Sequence, residues 1–467
     1  MIKNLLLLAL IPLQLLAPEL RWDWKKIDIS TMRFPSDFLW GVAVAEHQVS
    51  GGEHSQWAQA ARAGTVPEAG TACDSYNRMD QDIACMKELG VKSFRFSVGW
   101  GRIEPEEGKF DEAAIAHYQE FCRKLIAAGI TPMVTMLHYV HPQWFEQKGG
   151  FEKKRNVKYF VRFATKVFES LKDQVTLWCT INEPGPYVFE SYLRGVWPPH
   201  RVMQFQLAGN VTRNLLRAHI LTYKAIKSNP ENVQHQLGFA HSITVFEPYH
   251  DNNPLERLNC AWFNHYFHEA VTQFFKTGTF YWSCAPFSIS WTADNPKQYL
   301  DFFGINYYSH ILMALGPTKF GAPAYRPGEI RTDMPYAIYA EGLYRAIFSV
   351  SDLGVPIYIT EMGIADDKDN RRAHMIRTYC YAISKAIADG ADVRGAFYWS
   401  LLDNYEWAYG FTQKFGLFAV DFETKERTMR PSALMYKSII TDDLYVSSPF
   451  CHNYQTELPI TVSERAA

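Results

Sequence analysis

Two apolar runs in the sequence end on a carboxylate. In Leu177–Tyr187, "LWCTINEPGPY", the run stops at Asn182 and Glu183, and Pro184 prevents its continuation as regular structure. In "YITEMG" the run reaches Glu361. Two carboxyl groups flanking an acetal can cut it: one protonates the leaving oxygen, and the other attacks the carbon or activates water. They act from opposite sides of the bond, so separate segments must supply them. Taken alone, Asn-Glu-Pro reads equally as a capped turn; a second carboxylate at a second strand end turns the reading to catalysis. Further polar residues fall at similar places: Glu46 and Gln48, Arg95, His138, Asn306 and Tyr308, then Trp399 followed by Glu406 and Trp407. A lone Trp399 would be core packing and a lone His138 a satisfied structural histidine; their company makes them candidates. "HYVH" spaces His138 and His141 three apart with no third ligand signalled, so neither a metal site nor a cofactor is expected.

The elements that must carry these residues alternate. Candidate strands are Phe38–Glu46, Lys92–Val98, Thr131–His138, Val175–Asn182, Gln236–Val245, Phe302–Tyr308, Pro356–Glu361 and Gly395–Ser400. Helical patterns lie between them. In "YNRMDQDIACMKELG", Met79, Ile83, Met86 and Leu89 recur at helical spacing and Gly90 closes the run; "AIAHYQEFCRKLIAAG" closes likewise on Gly129. Eight strand–helix units predict an α/β fold, a single (β/α)8 TIM barrel with loop insertions, in which chemistry gathers at the C-terminal ends of the strands. The barrel is expected over residues 32–443, with an N-terminal leader or extension over 1–31 and a C-terminal extension over 444–467.

Composition narrows the partners. Lys+Arg number 47 and Asp+Glu 49, a balance that gives no electrostatic case for nucleic acid or an anionic membrane surface. The eight cysteines form no C-x-x-C pair, and most sit among apolar residues, which favours a reducing, cytoplasmic compartment. The leader "MIKNLLLLALIPLQLLAPEL" pulls the other way, with an apolar run from Leu5 to Ala17. It reads as an export signal, a membrane-associating segment, or an extension upstream of a start nearer Met32. Membrane association is expected only through that segment, and the sequence does not define the oligomeric state.

Beyond these residues, the chain from about Phe34 to Ile440 resembles the family 1 glycoside hydrolases, the retaining β-glucosidases and β-galactosidases. "FPSDFLWGVAVAEHQVSGG", "FRFSVGWGRIEP", "TINEP", "FFGINYYS" and "YITEMG" are similar to the family's strand motifs. "YWSLLDNYEWAYGFTQKFGLFAVDF" is similar to its eighth strand and sugar-binding loop, and with "GIADDKDNRR" it is closest to the archaeal-type branch. The resemblance implies that Glu361 is the nucleophile and Glu183 the acid/base, with carboxyl groups about 5–5.5 Å apart. Arg95 and Tyr308 would hold Glu361 ionised, and Asn182 would bind the sugar 2-hydroxyl. Gln48, His138, Trp399, Glu406, Trp407 and Phe415 would receive the sugar of a small β-glycoside or oligosaccharide. Glu183 is not the Gln of plant thioglucosidases, and a carboxylate at Glu406 would disfavour a 6-phosphate.

Three departures from the family pattern bear on sugar preference. The usual His-Trp-Asp-Leu-Pro is here "HYVHP", with Tyr139, Val140 and His141; Met362 stands where Asn is usual; and the Glu usual after the first-strand Gln is missing. The departures leave two alternatives beside a β-glycosidase: a catalytically impaired glycan- or protein-binding barrel, or a transglycosidase using the same residues.

Overall fold

The computed structural model describes residues 20–284, 286–316 and 319–441. Eight parallel strands close a barrel: β1 (Leu39–Val44), β2 (Ser93–Ser97), β3 (Thr131–Leu137), β4 (Leu177–Asn182), β5 (Gln236–Ser242), β6 (Phe302–Tyr307), β7 (Ile357–Met362) and β8 (Val393–Trp399), with β8 pairing back onto β1. All eight expected strands are present, each with one or both ends displaced by one to three residues. Parallel strands covered on both faces need apolar side chains throughout, which is why β4, β6 and β7 are buried along their whole length. Tight strand packing also selects glycine. A Cβ at Gly238 would sit 2.3 Å from the Phe302 ring, and one at Gly41 would sit 2.4 Å from Phe397.

The outer ring comprises α1 (Met79–Leu89), α2 (Glu112–Ala127), α3 (Val157–Leu171), α4 (Phe205–Lys227), α5 (Ala270–Thr277), α6 (Ala340–Val350), α7 (Arg372–Ala388) and α8 (Ala433–Ile440). The Asp111 carboxylate caps α2 by accepting from the Ala113 and Ala114 amides at 2.9 and 3.0 Å. Gly90 ends α1 in the left-handed region at φ 82°, a conformation that costs a side-chain-bearing residue steric strain. On α3, Phe160, Phe163, Ala164, Val167, Phe168 and Leu171 form the stripe buried against the barrel.

The insertions carry the weakest sequence signal. Val245–Pro248, His310–Gly316 and Lys319–Ala324 form a small sheet, and Thr279–Cys284 pairs with Phe287–Thr292 in a hairpin. Residues 20–31 also pack on the body. Trp22 and Trp24 meet the Tyr381 ring edge-on, and the Trp22 amide and Trp24 indole both donate to Glu341 on α6 at 2.8 and 3.0 Å. The apolar run Leu5–Ala17 and the extension from 444 lie outside the described residues. Among the described residues, no helix is long and apolar enough to cross a membrane.

One buried cation ties the loops after β7 and β8 together. The Arg372 guanidinium pairs with Asp369 at 2.9 Å and donates to the carbonyls of Ile364, Asp366, Lys414 and Phe415. Replacing it by leucine leaves the Asp369 carboxylate with only its Ser432 donors and takes one donor from each of four carbonyls. Arg372→Leu is expected to destabilise the fold by about 3–5 kcal/mol, read as a lower urea midpoint in equilibrium unfolding.

Candidate active site

The strand ends supply a continuous buried network. Arg95 on β2 is 1% exposed. Its guanidinium donates to Glu361 Oε1 at 2.6 Å, to the Thr360 carbonyl at 3.1 Å, to Asn182 Oδ1 at 2.6 Å and to Thr135 Oγ1 at 3.2 Å. The Tyr308 hydroxyl donates to the other Glu361 oxygen at 2.6 Å. Asn306 on β6 donates to Glu183 Oε1 at 2.8 Å and to Asn182 Oδ1 at 3.1 Å. The Tyr139 hydroxyl donates to Glu183 Oε2. Glu183 and Glu361 therefore share one cluster, linked through Asn182, Asn306 and Arg95.

Local backbone irregularity aims these groups. The pairing register shifts between Ile359 and Glu361 on β7 and between Cys179 and Asn182 on β4, and such irregularities re-aim side chains beside active sites. Tyr139, Glu183 and Trp407 all take left-handed backbone, at φ 66°, 42° and 48°. Each such residue costs about 1–3 kcal/mol and persists only where its surroundings force it. For Glu183 the cause is visible. Its amide must still bond the Ala240 carbonyl, at 2.9 Å, while Pro184 opens the next helical turn.

The two carboxyls have unequal electrostatic surroundings. Burial and the Glu361 charge push Glu183 up to about 8, against the hydrogen bonds from Tyr139 and Asn306 and the Arg95 charge. Burial also raises Glu361, but there Arg95, Tyr308 and Asn306 oppose it. Arg95 is in direct contact with Glu361 and compensates one negative charge, so that charge resides on Glu361 and Glu183 keeps its proton. A neutral carboxylic acid facing a carboxylate is the pairing that acetal cleavage needs.

Around the pair lies a polar and aromatic wall. Gln48 donates through Nε2 to the Tyr405 carbonyl at 2.8 Å and to Asn404 Oδ1 and Glu406 Oε2 at 3.1 Å, leaving its buried Oε1 without a partner. Asn182 Oδ1 takes two donors, so its amide nitrogen donates to His138 Nε2 at 3.2 Å. That assigns the His138 proton to Nδ1, which is buried and has no partner. The His138 ring lies nearly parallel to Trp399 and Trp407, with centroids 5.6 and 6.1 Å away, and Phe415 meets Tyr308 edge-on at 6.0 Å. Burial and the Glu361 charge raise Glu406 to about 8, with only the Gln48 hydrogen bond opposing. Burial thus favours the neutral form of Glu406, which is not the fixed anion that the sequence alone suggests.

All eleven sequence-predicted site residues belong to this constellation, directly or through a neighbouring ring. Two more belong to it. Asn306 stood in the strand-end list without a role, yet it bridges both halves of the site. Tyr139 was noted as a departure, and its contact with Glu183 had no sequence signal beyond proximity to His138. His141 pairs with Glu146 at 2.7 Å and with Gln56, which accounts for the second histidine of "HYVH".

Known proteins resemble the chain over most of its length. The model of glycosyl hydrolase family 1 matches residues 30–444. The chain is 32% identical over 460 residues to β-glucosidase A of Acetivibrio thermocellus, covering 89% of this chain and 100% of the relative. It is 30% identical over 470 residues to a 6-phospho-β-galactosidase of Staphylococcus epidermidis, covering 88% and 98%. A solved β-glycosidase from Pyrococcus horikoshii superposes with a TM-score of 0.79 at 34% identity, over 88% of this chain and 95% of that one. The chain belongs to glycosyl hydrolase family 1, and it is a glycoside hydrolase of the β-glucosidase kind built on a (β/α)8 barrel.

Proposed function

We propose that this glycoside hydrolase cleaves unphosphorylated β-linked glucosides or galactosides with retention, through a covalent glycosyl-enzyme. The observation that carries the reading is the unequal pair: Glu361 on the Arg95 guanidinium and Glu183 raised to about 8. Glu183 gives its proton to the glycosidic oxygen as that oxygen leaves, and a Glu361 oxygen bonds to the anomeric carbon. Glu183 then takes a proton from water, whose oxygen displaces Glu361 and restores the carboxylate. Asn182 Nδ2 is the donor available to the sugar 2-hydroxyl, His138 Nδ1 and Gln48 Oε1 await other hydroxyls, and the Trp399 and Trp407 faces suit C–H surfaces of a pyranose.

The relative from Staphylococcus makes phosphorylated substrates the natural rival. The surroundings of Glu406 argue against them: burial there is opposed only by an amide hydrogen bond, and no cation offsets it among the described residues. A phosphate carrying nearly two charges would meet carboxyls and no lysine or arginine.

An aryl β-glycoside panel checks this. Turnover of glucosides or galactosides is expected, with the 6-phospho-glycosides at least about tenfold poorer in kcat/KM; preference for the phosphorylated set would reverse the substrate assignment. Glu361→Gln should lower kcat by roughly four orders of magnitude. A 2-fluoroglycoside should label Glu361 of the parent protein, as peptide mass spectrometry would show; a folded protein that neither turns over nor labels is a binding barrel instead. Because Glu183 must enter the reaction protonated, kcat/KM should fall as pH rises through about 8.

A further inference from the structure

Tyr139 stands where the family pattern has tryptophan, and its surroundings set it apart from a packing residue. The turn after β3 holds it in left-handed backbone, and its carbonyl accepts from Gln56 Nε2 at 2.8 Å. The ring is clamped by Trp197 and Trp407, with centroids at 5.0 and 5.2 Å, and lies parallel to Tyr187 at 6.2 Å. The residue is 6% exposed. Its hydroxyl is delivered to one Glu183 oxygen while Asn306 takes the other. Burial and the charges of Glu183, Glu361 and Glu406 hold the phenol well above its ordinary pKa, so it remains a donor throughout the working pH range.

We propose that Tyr139 is a positioning residue that fixes the acid/base carboxyl and sets its acidity by stabilising the carboxylate form. The proposal rests on the acid/base reading of Glu183. When Glu183 passes its proton to the glycosidic oxygen, the C–O electron pair goes to the leaving oxygen and negative charge appears on the Glu183 carboxylate. The Tyr139 O–H and the Asn306 N–H already point at that carboxylate, and hydrogen bonds to an ionised acceptor are stronger than to a neutral one. The contact therefore strengthens along the reaction coordinate, which is where an interaction accelerates chemistry. It relaxes again when Glu183 takes a proton from water in the second step.

Asn306 shares this task, and among the described residues no other side chain donates a hydrogen bond to the Glu183 carboxyl. Arg95 from β2 is spent on Glu361 and Asn182. His138 after β3 and His241 on β5 are kept neutral by burial. Tyr308 after β6 donates to Glu361, Glu361 on β7 adds negative charge, and Glu406 after β8 is pushed by burial toward its neutral form.

The test is a direct titration. Carboxyl-13C glutamate is incorporated into the parent protein and Tyr139→Phe, and the Glu183 resonance is identified by its loss in Glu183→Gln. Phenylalanine keeps the ring clamped, so the fold is retained. The Glu183 midpoint is expected to rise by about one pH unit in Tyr139→Phe, a tenfold weaker acid. In the same variant, kcat/KM for glycosides with poor leaving groups should fall about tenfold more than for activated aryl glycosides, because only the former need full proton donation. An unmoved or lowered midpoint, or equal losses across leaving groups, would reduce Tyr139 to packing and overturn the proposal. The titration needs no turnover, so an inactive parent protein would count against the proposed function and not against this assignment.

Discussion

The site hangs on the burial of a single guanidinium. Arg95 is the one cation among the described residues that acts on both Glu183 and Glu361. Removed from water, it must have its donors satisfied and its charge matched, and it finds both on other barrel strands: Thr135 on β3, Asn182 on β4, Thr360 and Glu361 on β7. One cation neutralises one anion. The second carboxyl, left in the same low-dielectric cavity beside a like charge, stays protonated. The chemical asymmetry of two identical side chains is thus a consequence of charge count and geometry.

Around that cation the protein accepts local cost. Tyr139, Glu183 and Trp407 lie in backbone regions that disfavour side-chain-bearing residues, and β4 and β7 break register just before the ends that carry Asn182 and Glu361. The barrel can hold these conformations because the surrounding strands are buried and fully paired. The aromatic wall of Trp57, Trp197, Trp399 and Trp407 fixes the polar groups further, since large rings in contact leave little freedom to rotate. Gln48 Oε1 and His138 Nδ1 are buried polar atoms that no protein group among the described residues satisfies.

Much of this was legible in the chain. Strands buried on both faces are nearly continuous apolar runs, so β1 to β8 announced themselves, and the helices between them carried their own stops at Gly90 and Gly129. The insertions were not legible. The hairpin of Thr279–Cys284 with Phe287–Thr292 covers only part of one barrel side, and its alternation is diluted by aromatic residues that serve as packing. The packing of Trp22 and Trp24 on α6 and α7 was hidden because it depends on partners more than three hundred residues away.

For the site, sequence by itself determined which groups were available and that two carboxylates, an arginine, a histidine and a tyrosine would reach one end of a barrel. Strand-end position is a local property, and the parallel topology turns it into spatial convergence. What only the tertiary structure decided was the protonation and pairing of those groups. Whether Glu406 is charged, which tautomer His138 adopts, and that Tyr139 bonds to Glu183 all depend on desolvation and on neighbours from other strands. Burial and through-space charge have no signature in the order of residues along a chain, because they are set by what folds against each residue and not by what precedes or follows it.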